Sequence, residues 1–320
     1  MTLAPRQARL RALAKINLGL KVLNRRPDGY HELRTVFQTV SLADTIEVEF
    51  GPGRRTSITV SGNVEIPNNL VGRAARLVLE ATRATGQLTV RLTKRIPVGA
   101  GLGGGSSDAA AILLGLPVLA GKVIPLPRLI ELAGQLGSDV PFFLLGGRAV
   151  ALGRGTELYP LPEDGAVRAL LVVPEMEIPT AEAYAALGRT LTSPPPENMM
   201  SSFQSWVWQQ LQASRSGVAF PAGENDFEPA VFAMYPRLGA LKRRLEKLGA
   251  KPAMLSGSGS ALFGIFASLD DYRRARGAFP AERVFPVRLV RQARYQSMWR
   301  RQLAGHIRGS EWPPESRHAL

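Results

Sequence analysis

The sequence predicts a protein of two domains that combine helices with strands, in an α/β or an α+β arrangement. The chain has 320 residues, which exceeds the size at which a single hydrophobic core keeps growing. Hydrophobic residues make up 45% of it, enough to fill two cores. Stretches with the period-two alternation of strands also alternate with stretches of helical periodicity from the start of the chain. No internal repeat of fixed period is visible.

The first half of the chain contains four predicted strands and three predicted helices. In the first strand, residues 10–23, the apolar side chains at even positions share one face, whereas Lys15 and Asn17 share the other. Asn69 is expected to cap a helix that Gly86 closes. The other predicted strands are DTIEVEF, TSITVSG and QLTVRLTKRI, and the other helices are SDAAAILLGL and LPRLIELAGQLG. The even positions of the first strand are Ala12, Ala14, Ile16, Leu18 and Leu20.

The second half repeats this mixture after a turn-rich segment, LPEDGA. RALLVVPEM begins a new strand, and residues 227–249 form one or two helices. AMLSGSGSALFGIFAS contains a strand, a glycine turn and then a strand or a helix, and VFPVRLVRQA closes the domain as a strand. The Pro- and Ser-rich segment 191–204 is expected to be a surface loop. We therefore predict one domain over residues 1–160, a second over 161–297, and a basic C-terminal tail over 298–320.

The charge balance is strongly basic, with 40 Lys and Arg against 26 Asp and Glu and a net charge of +14. Such a field attracts nucleic acid, acidic lipid and small phosphorylated ligands alike. The chain has no cysteine, which excludes disulfides, thiolate metal sites and cysteine nucleophiles and fits a cytoplasmic protein. The longest apolar stretch, residues 109–121, is shorter than the roughly 20 residues of a membrane span. Much of the positive charge is expected on a solvated, frayed C-terminal end: Arg288, Arg291, Arg294, Arg300, Arg301, Arg308 and Arg317.

The segment PVGAGLGGGSSDAA, residues 97–110, is the strongest functional signal. Glycines leave backbone N–H groups free to point at phosphate oxygens, and a following helix offers the positive end of its dipole. A flexible turn or tight helix packing is the alternative interpretation. Three known nucleotide-binding motifs do not fit this segment. A dinucleotide-binding motif requires an acidic residue for the ribose, and a Walker motif requires a lysine before its Ser or Thr; neither residue is present at the required position. The H-R-D and D-F-G motifs of protein kinases are also missing.

This segment resembles the ATP-binding motif of the GHMP kinase superfamily, and AMLSGSGSALFGIF is similar to the superfamily's C-terminal glycine motif. AKINLGLKVLNRRPDGYHEL and GSDVPFFL resemble, within the superfamily, the family of 4-diphosphocytidyl-2-C-methyl-D-erythritol kinases. The resemblance implies a two-domain α+β GHMP kinase fold, with an N-terminal domain like domain 2 of ribosomal protein S5 and a ferredoxin-like C-terminal domain. It also implies direct phosphoryl transfer from ATP, with Mg²⁺, to the 2-hydroxyl of the cytidine diphosphate substrate, in the non-mevalonate (MEP) pathway of isoprenoid biosynthesis.

The resemblance assigns roles to residues that would each have an ordinary structural explanation. Lys15 would otherwise be a solvated strand residue and Asp139 a turn or N-cap residue; the family places an electrostatic stabiliser and a catalytic base at these positions. Ser106 or Ser107 would otherwise cap a helix, and Ser107 is assigned to the metal. The assigned nucleotide ligands are Asn68, Pro97, Val98, Gly99, Ala100, Gly101, Leu102, Gly103, Gly104, Gly105, Ser106 and Ser107.

The expected substrate contacts are Asn17, Tyr30, His31, Thr180 and Tyr184. By the resemblance, Tyr30 and His31 hold the cytidine ring, and Tyr184 forms the opposite wall; a packed aromatic, a surface histidine and a helix core residue are the ordinary alternatives. Two other functions remain open. One is a GHMP kinase acting on mevalonate, homoserine or a sugar. The other is an RNA-binding protein supported by net charge alone. We expect small-molecule partners, with no specific nucleic acid and no membrane.

Overall fold

The computed structural model describes residues 4–65, 69–163, 167–188, 201–209 and 223–319. The N-terminal half is built on a sheet of six strands in the order β3-β4-β2-β5-β6, with β1 also paired to β2. Only the pairing of β3 with β4 is parallel among these strands. The strands are β1 (Arg6–Arg25), β2 (His31–Pro52), β3 (Ser57–Gly62), β4 (Gly86–Thr93), β5 (Arg148–Gly153) and β6 (Glu157–Pro160).

Strands β1 and β2 form a long hairpin whose pairing is interrupted by register shifts between Leu13 and Lys15 and between Asn17 and Gly19. The expectation that the five apolar residues at even positions share one face was therefore wrong. Ala12 packs in the core of the first domain, and Leu20 packs in the core of the second. Ala14, Ile16 and Leu18 join a third apolar cluster that includes residues of both sheets. A bulge shifts the side-chain alternation, which the sequence pattern does not reveal.

Four helices, α1 (Leu70–Thr82), α2 (Gly104–Ala120), α3 (Leu126–Leu136) and α4 (Val140–Leu145), complete this half. Asn69 caps α1 as predicted, with its side chain accepting from the N–H of Val71. The predicted end at Gly86 was wrong, because the helix ends at Arg83, whose φ of 51° is left-handed, and Gly86 begins β4. Helix α2 is buried along almost its whole length, as the continuous apolar run from Ala109 to its end requires.

The second half is built on an antiparallel sheet in the order β10-β7-β9-β8, the strand order of a ferredoxin-like domain. Its strands are β7 (Arg168–Val173), β8 (Ala253–Leu255), β9 (Leu262–Phe266) and β10 (Arg283–Arg288). Because almost all pairings in both sheets are antiparallel, the fold class is α+β rather than α/β. The helices are α5 (Thr180–Ala186), α6 (201–209), α7 (Phe227–Met234), α8 (Pro236–Lys247) and α9 (Leu269–Arg276).

The C-terminal residues return to the first domain as α10 (Gln292–Gln302) and a hairpin of β11 (Ile307–Arg308) with β12 (Glu315–Ser316). The expectation of a frayed end was wrong, because Tyr295, Trp299 and Leu303 are buried in the core of the first domain. Helix α10 also spans position 298, where the sequence suggested that a separate tail begins. The prediction failed because α10 is amphipathic: its arginines lie on the exposed face and give the segment a basic composition, while its aromatic residues lie on the buried face.

The predicted surface loop over residues 191–204 lies mostly outside the described residues. From residue 201 the chain is helical, and Phe203 is buried in the cluster that joins the two sheets. Within the described ranges, no helix combines the length and the apolar character needed to cross a lipid bilayer.

Candidate active site

The glycine loop lies between β4 and α2 and turns into the helix at Gly103, which precedes the first turn. Gly99, Gly101 and Gly103 have φ values of 69°, 76° and 68°, in the left-handed region that only glycine enters without strain. The backbone therefore coils tightly in front of the N-terminus of α2. This arrangement gives the loop the unpaired N–H groups and dipole that an anion-binding site needs.

The loop is held by the second glycine motif, which connects β8 to β9. The Ser256 hydroxyl donates to the carbonyl of Gly101 at 3.0 Å, and the N–H of Ala261 donates to the carbonyl of Ala100 at 3.1 Å. A Cβ atom on Gly101 would stand 2.1 Å from the Ser256 carbonyl oxygen. The two motifs therefore touch backbone to backbone, and each domain contributes one of them.

The serines after the loop do not cap α2, because the capping position is occupied by Gly103. Ser106 and Ser107 lie in the first turn instead, so the alternative interpretation as caps was wrong. The Ser107 hydroxyl oxygen is buried and has no hydrogen-bond partner among the described residues. A buried polar atom without a partner is costly, so this oxygen is available to a ligand at the helix N-terminus.

Several residues assigned to the nucleotide contribute backbone rather than side chains. Ala100 and Leu102 are buried in the cluster between the sheets, and the carbonyl of Leu102 accepts from the N–H of Lys15 at 3.0 Å. Pro97 is buried and Val98 is exposed. Asn68 lies outside the described residues.

Lys15 and Asp139, separated by 124 positions in the chain, form an ion pair with 3.4 Å between Nζ and Oδ2. The lysine side chain is 5% exposed and the aspartate side chain 32% exposed. Lys15 Nζ also donates to Asn17 Oδ1 at 2.7 Å, and Asn17 Nδ2 donates to the Thr35 hydroxyl at 2.9 Å. A buried cation, oriented by Asn17 and through it by Thr35, therefore lies beside a carboxylate that solvent can reach.

Helix α4 places Asp139 at this point. Asp139 precedes the first turn, but its side chain makes no capping hydrogen bond, so the ordinary N-cap interpretation does not describe it. The ring of Phe143 lies against Gly103, where an added Cβ would approach it to 2.9 Å and the Lys15 stem to 3.0 Å. The same short helix thus touches the glycine loop with one residue and carries the acidic partner of Lys15 at its start.

A buried ionic cluster beneath the loop was missed by the sequence analysis. Lys94 Nζ donates to Asp108 at 2.7 Å and to Asp44 at 2.5 Å, and it lies 3.1 Å from the position of a Cβ on Gly104. Burial acts to lower the pKa of Lys94, but the two carboxylates outweigh it and the pKa is raised. Burial raises the pKa of Asp108 to about 7, against the opposing effect of Lys94. The Lys94 ammonium is therefore engaged by two carboxylates inside the protein.

A cavity of about 760 Å³ opens next to Asp139, between the β1/β2 turn and α5. Four of the five predicted substrate residues line this cavity, and the fifth, Asn17, is buried and accepts a hydrogen bond from Lys15. The Thr180 hydroxyl lies 3.4 Å from that of Ser258, which ties the cavity to the second glycine motif. The cavity is lined by Arg25, Gly29, Tyr30, His31, Leu33, Ser138, Asp139, Arg154, Thr180, Ala181, Tyr184, Ala185 and Gly188.

The aromatic residues of the cavity are arranged differently from the prediction. The rings of His31 and Tyr184 stack directly on each other, with centroids 4.3 Å apart and planes at 18°. Tyr184 is therefore not a wall facing His31 across a space that could admit a ring, and that expectation was wrong. Burial, followed by the charge of Arg25, lowers the pKa of His31, and burial followed by the charge of Asp139 raises the pKa of Tyr184 to about 12.

Arg154 is a cavity residue that the sequence analysis missed. Its guanidinium lies over the ring of Tyr30 at 5.2 Å, and its Nη2 donates to the carbonyl of Gly134 at 2.9 Å. Tyr30 itself is 50% exposed and lines the cavity. Arg25 lines the same cavity, so the region beyond Asp139 carries two guanidinium groups. An arginine after a glycine in a hairpin offers no distinctive sequence signal.

No group of three or more His, Cys, Asp or Glu side chains in the part of the chain that the structure describes is arranged to hold a metal ion. The Ser107 hydroxyl is the sequence-assigned metal contact, and its unpartnered oxygen fits an oxygen ligand to Mg²⁺.

Comparison with known proteins identifies relatives over almost the whole chain. Residues 69–147 match the model of the GHMP kinases N terminal domain, and residues 210–283 match that of the GHMP kinases C terminal domain. A 4-diphosphocytidyl-2-C-methyl-D-erythritol kinase of Solibacter usitatus is 52% identical, with 98% of each chain covered. The corresponding kinase of Gloeobacter violaceus is 41% identical over 80% of this chain and 85% of its own.

Solved structures agree with this result. A crystal structure of 4-(cytidine 5'-diphospho)-2C-methyl-D-erythritol kinase superposes with a TM-score of 0.72 at 40% identity, covering 88% of this chain and 98% of its own. A homoserine kinase of Cytophaga hutchinsonii gives a TM-score of 0.69 at 18% identity, covering 89% and 94%. At that identity the second likeness concerns the fold alone.

Proposed function

Because the chain belongs to the 4-diphosphocytidyl-2-C-methyl-D-erythritol kinase family of GHMP kinases and is an ATP-dependent phosphotransferase, we propose that it phosphorylates the 2-hydroxyl of that cytidine diphosphate sugar alcohol. The products are the 2-phosphate and ADP. This reaction places the protein in the non-mevalonate route to isoprenoid precursors.

One observation carries the proposal. The Lys15–Asp139 pair, 3.4 Å apart, lies where the glycine loop meets the cavity of about 760 Å³. The N–H of Lys15 donates to the carbonyl of Leu102 in the loop, and Asp139 lines the cavity. A donor held by the loop and an alcohol held in the cavity would therefore meet at these two side chains, as direct phosphoryl transfer requires.

The chemistry follows from the positions of these groups. Asp139 accepts the proton of the attacking hydroxyl, and the new bond joins that oxygen to the γ-phosphorus of ATP. The bond between this phosphorus and the oxygen bridging to the β-phosphate breaks, and ADP leaves. Lys15 offsets the negative charge on the transferred group, and the low exposure of its ammonium strengthens this interaction. No covalent intermediate with the protein is needed.

Nucleotide binding is assigned to the backbone of residues 97–105 and to the N-terminus of α2. Ser107 would help to hold Mg²⁺, which when bound neutralises charge on the β- and γ-phosphates. Behind the loop, Lys94 is held between Asp44 and Asp108 and fixes the loop to the sheet, so we assign it a supporting role.

Substrate recognition is assigned to the far end of the cavity. The half-exposed ring of Tyr30 in the cavity lining offers a stacking surface for the cytosine ring, a contact that contributes about 1 to 3 kcal/mol per base. Arg154 and Arg25 carry the charge that a diphosphate group requires. His31 and Tyr184, stacked together, form one rigid wall, and Tyr184 retains its phenolic proton and can donate it.

A coupled assay of ADP release tests the proposal, with 4-diphosphocytidyl-2-C-methyl-D-erythritol compared with homoserine, mevalonate and galactose. We expect turnover of the cytidine diphosphate substrate alone. Turnover of one of the other alcohols in its place would contradict the proposed substrate, and the absence of ATP turnover with all four, alongside salt-sensitive RNA affinity, would favour the RNA-binding alternative.

A further inference from the structure

The C-terminal segment 290–319 lies beyond the region that matches the GHMP kinase C-terminal model, which ends at residue 283. It does not remain with the second domain. After β10, the N–H of Val290 donates to the carbonyl of Thr39 on β2 at 2.8 Å, and α10 then packs in the core of the first domain. The end of the chain therefore returns to the half of the molecule that carries Lys15 and Asp139.

Helix α4 needs partners that its own residues do not supply. A helix leaves its last four carbonyls without internal partners, and a helix of six residues has little stability of its own. The carbonyl of Phe142 accepts from the N–H of Gly146 at 2.8 Å. The next two carbonyls, those of Phe143 and Leu144, lie in the protein interior, where an unpaired polar group is costly.

The C-terminal segment supplies both partners. The buried Tyr295 hydroxyl donates to the carbonyl of Phe143 at 2.5 Å, and Trp312 Nε1 donates to the carbonyl of Leu144 at 3.0 Å. The Tyr295 ring also covers Gly146, where a Cβ would approach it to 2.3 Å. The rings of Tyr295 and Trp312 lie edge to face, 6.4 Å apart. These two side chains close the C-terminal turn of α4.

We propose that Tyr295 and Trp312 are positioning residues for the transfer step: by capping α4, the C-terminal segment holds Asp139 against Lys15. The inference rests on the role of Asp139 in the proposed function. Tyr295 and Trp312 lie 12 and 29 positions beyond residue 283, where the match to the C-terminal domain ends. They thereby determine the geometry of a site more than 140 positions earlier in the chain.

Tyr295→Phe tests this with the loss of a single hydroxyl. In the intact chain with ATP and 4-diphosphocytidyl-2-C-methyl-D-erythritol, kcat should fall at least about tenfold, because displacements near 1 Å cost up to about a hundredfold, while both KM values stay within about twofold. Hydrogen exchange of the peptide covering residues 139–147 should increase. Trp312→Phe, which removes the indole N–H, should act in the same direction.

Ser316→Ala is the matched control. Ser316 is a buried residue of the same segment, and its hydroxyl donates to the carbonyl of Val118 at 2.8 Å, which belongs to α2 and not to α4. Its loss should lower the unfolding temperature without changing kcat or the exchange of residues 139–147. An equal loss of kcat in this control would overturn the proposal, since the effect would then be one of general stability.

The role of Asp139 is separated from that of Tyr295 by a double-mutant cycle. In an Asp139→Asn background, Tyr295→Phe should change the residual kcat by less than about twofold, since the group it positions is gone. Near-normal turnover of Asp139→Asn would contradict the proposed base. An inactive Asp139→Asn together with a folded, fully active Tyr295→Phe whose exchange is unchanged would overturn only the present inference.

Discussion

Replacing Gly101 with alanine tests whether the contact between the two glycine motifs holds the phosphate-binding loop in place. The new Cβ would stand 2.1 Å from the Ser256 carbonyl oxygen, whereas real Cβ atoms do not approach closer than 3.0 Å. The two backbones must therefore separate by about 0.9 Å. Since φ at this residue is 76°, alanine also carries the left-handed penalty of about 1 to 2 kcal/mol.

The separation would stretch two interdomain hydrogen bonds, from Ser256 to the carbonyl of Gly101 and from Ala261 to that of Ala100. With about 0.5 to 1.5 kcal/mol for each hydrogen bond, the total loss is roughly 2 to 5 kcal/mol when the left-handed penalty is included. Many domains, stable by about 5 to 15 kcal/mol, would remain folded. The displaced loop should lower kcat/KM for ATP about a hundredfold, because reacting groups are sensitive to shifts near 1 Å.

Initial rates with varied ATP, together with thermal unfolding of the same preparations, measure both effects. Gly72→Ala is the control, because Gly72 lies within α1 and its nearest neighbour to an added Cβ is 3.9 Å away. Alanine there should raise stability by about 1 kcal/mol and leave the ATP dependence unchanged. A folded Gly101→Ala protein whose kcat/KM for ATP lies within twofold of wild type would refute the reasoning.

Three further substitutions test the site. Asp139→Asn should lower kcat at least about 100-fold, the usual contribution of a positioned base, with ATP binding retained in equilibrium titration; turnover close to wild type would remove it from the mechanism. Arg154→Ala should raise KM for the cytidine diphosphate substrate about 10- to 100-fold, from the 1.5 to 3 kcal/mol typical of charged hydrogen bonds, and leave KM for ATP unchanged; equal effects on both would contradict a diphosphate contact. The pKa of His31 is lower in the folded protein than in the unfolded chain, because folding favours the neutral imidazole. The contribution of His31 to the free energy of unfolding is therefore complete above pH 6.5 and is lost as the pH falls through the folded pKa. Wild type should therefore lose stability relative to His31→Gln between pH 8 and pH 5.5 in thermal unfolding, and parallel curves would refute this.

Features that depend on neighbouring residues could be predicted from the sequence. The glycine loop, the helix that follows it and the second glycine turn each follow from local backbone requirements, since positive φ values and helix starts leave a local signature. Asn69 was recognised as a cap for the same reason. Where two local signals competed, the prediction failed: a left-handed Arg83 ends α1, although Gly86 appeared to be the better candidate.

Features that depend on long-range packing could not be predicted from the sequence. The stack of His31 on Tyr184 and the position of Arg154 over Tyr30 depend on how the β1/β2 turn, the end of β5 and α5 come together. A bulge in β1 moves the side chains that follow it to the opposite face of the strand, and the sequence pattern does not indicate where this happens. The C-terminal segment appeared to be a solvated tail because arginines outnumber its few buried aromatics.

By itself, the sequence determined the mixed helix and strand composition, the two glycine motifs and the family to which the chain belongs. The composition and the glycine motifs follow from periodicity and from residues only a few positions apart, and the family follows from the resemblance of the motifs to those of known kinases. The tertiary structure alone decided that Lys15 and Asp139 form an ion pair and that the Lys94 ammonium binds two buried carboxylates. It also decided that Tyr295 and Trp312 donate hydrogen bonds to the last turn of α4. Such contacts join segments more than a hundred residues apart, or fix a side chain's direction through strand register and packing, and neither leaves a local pattern in the chain.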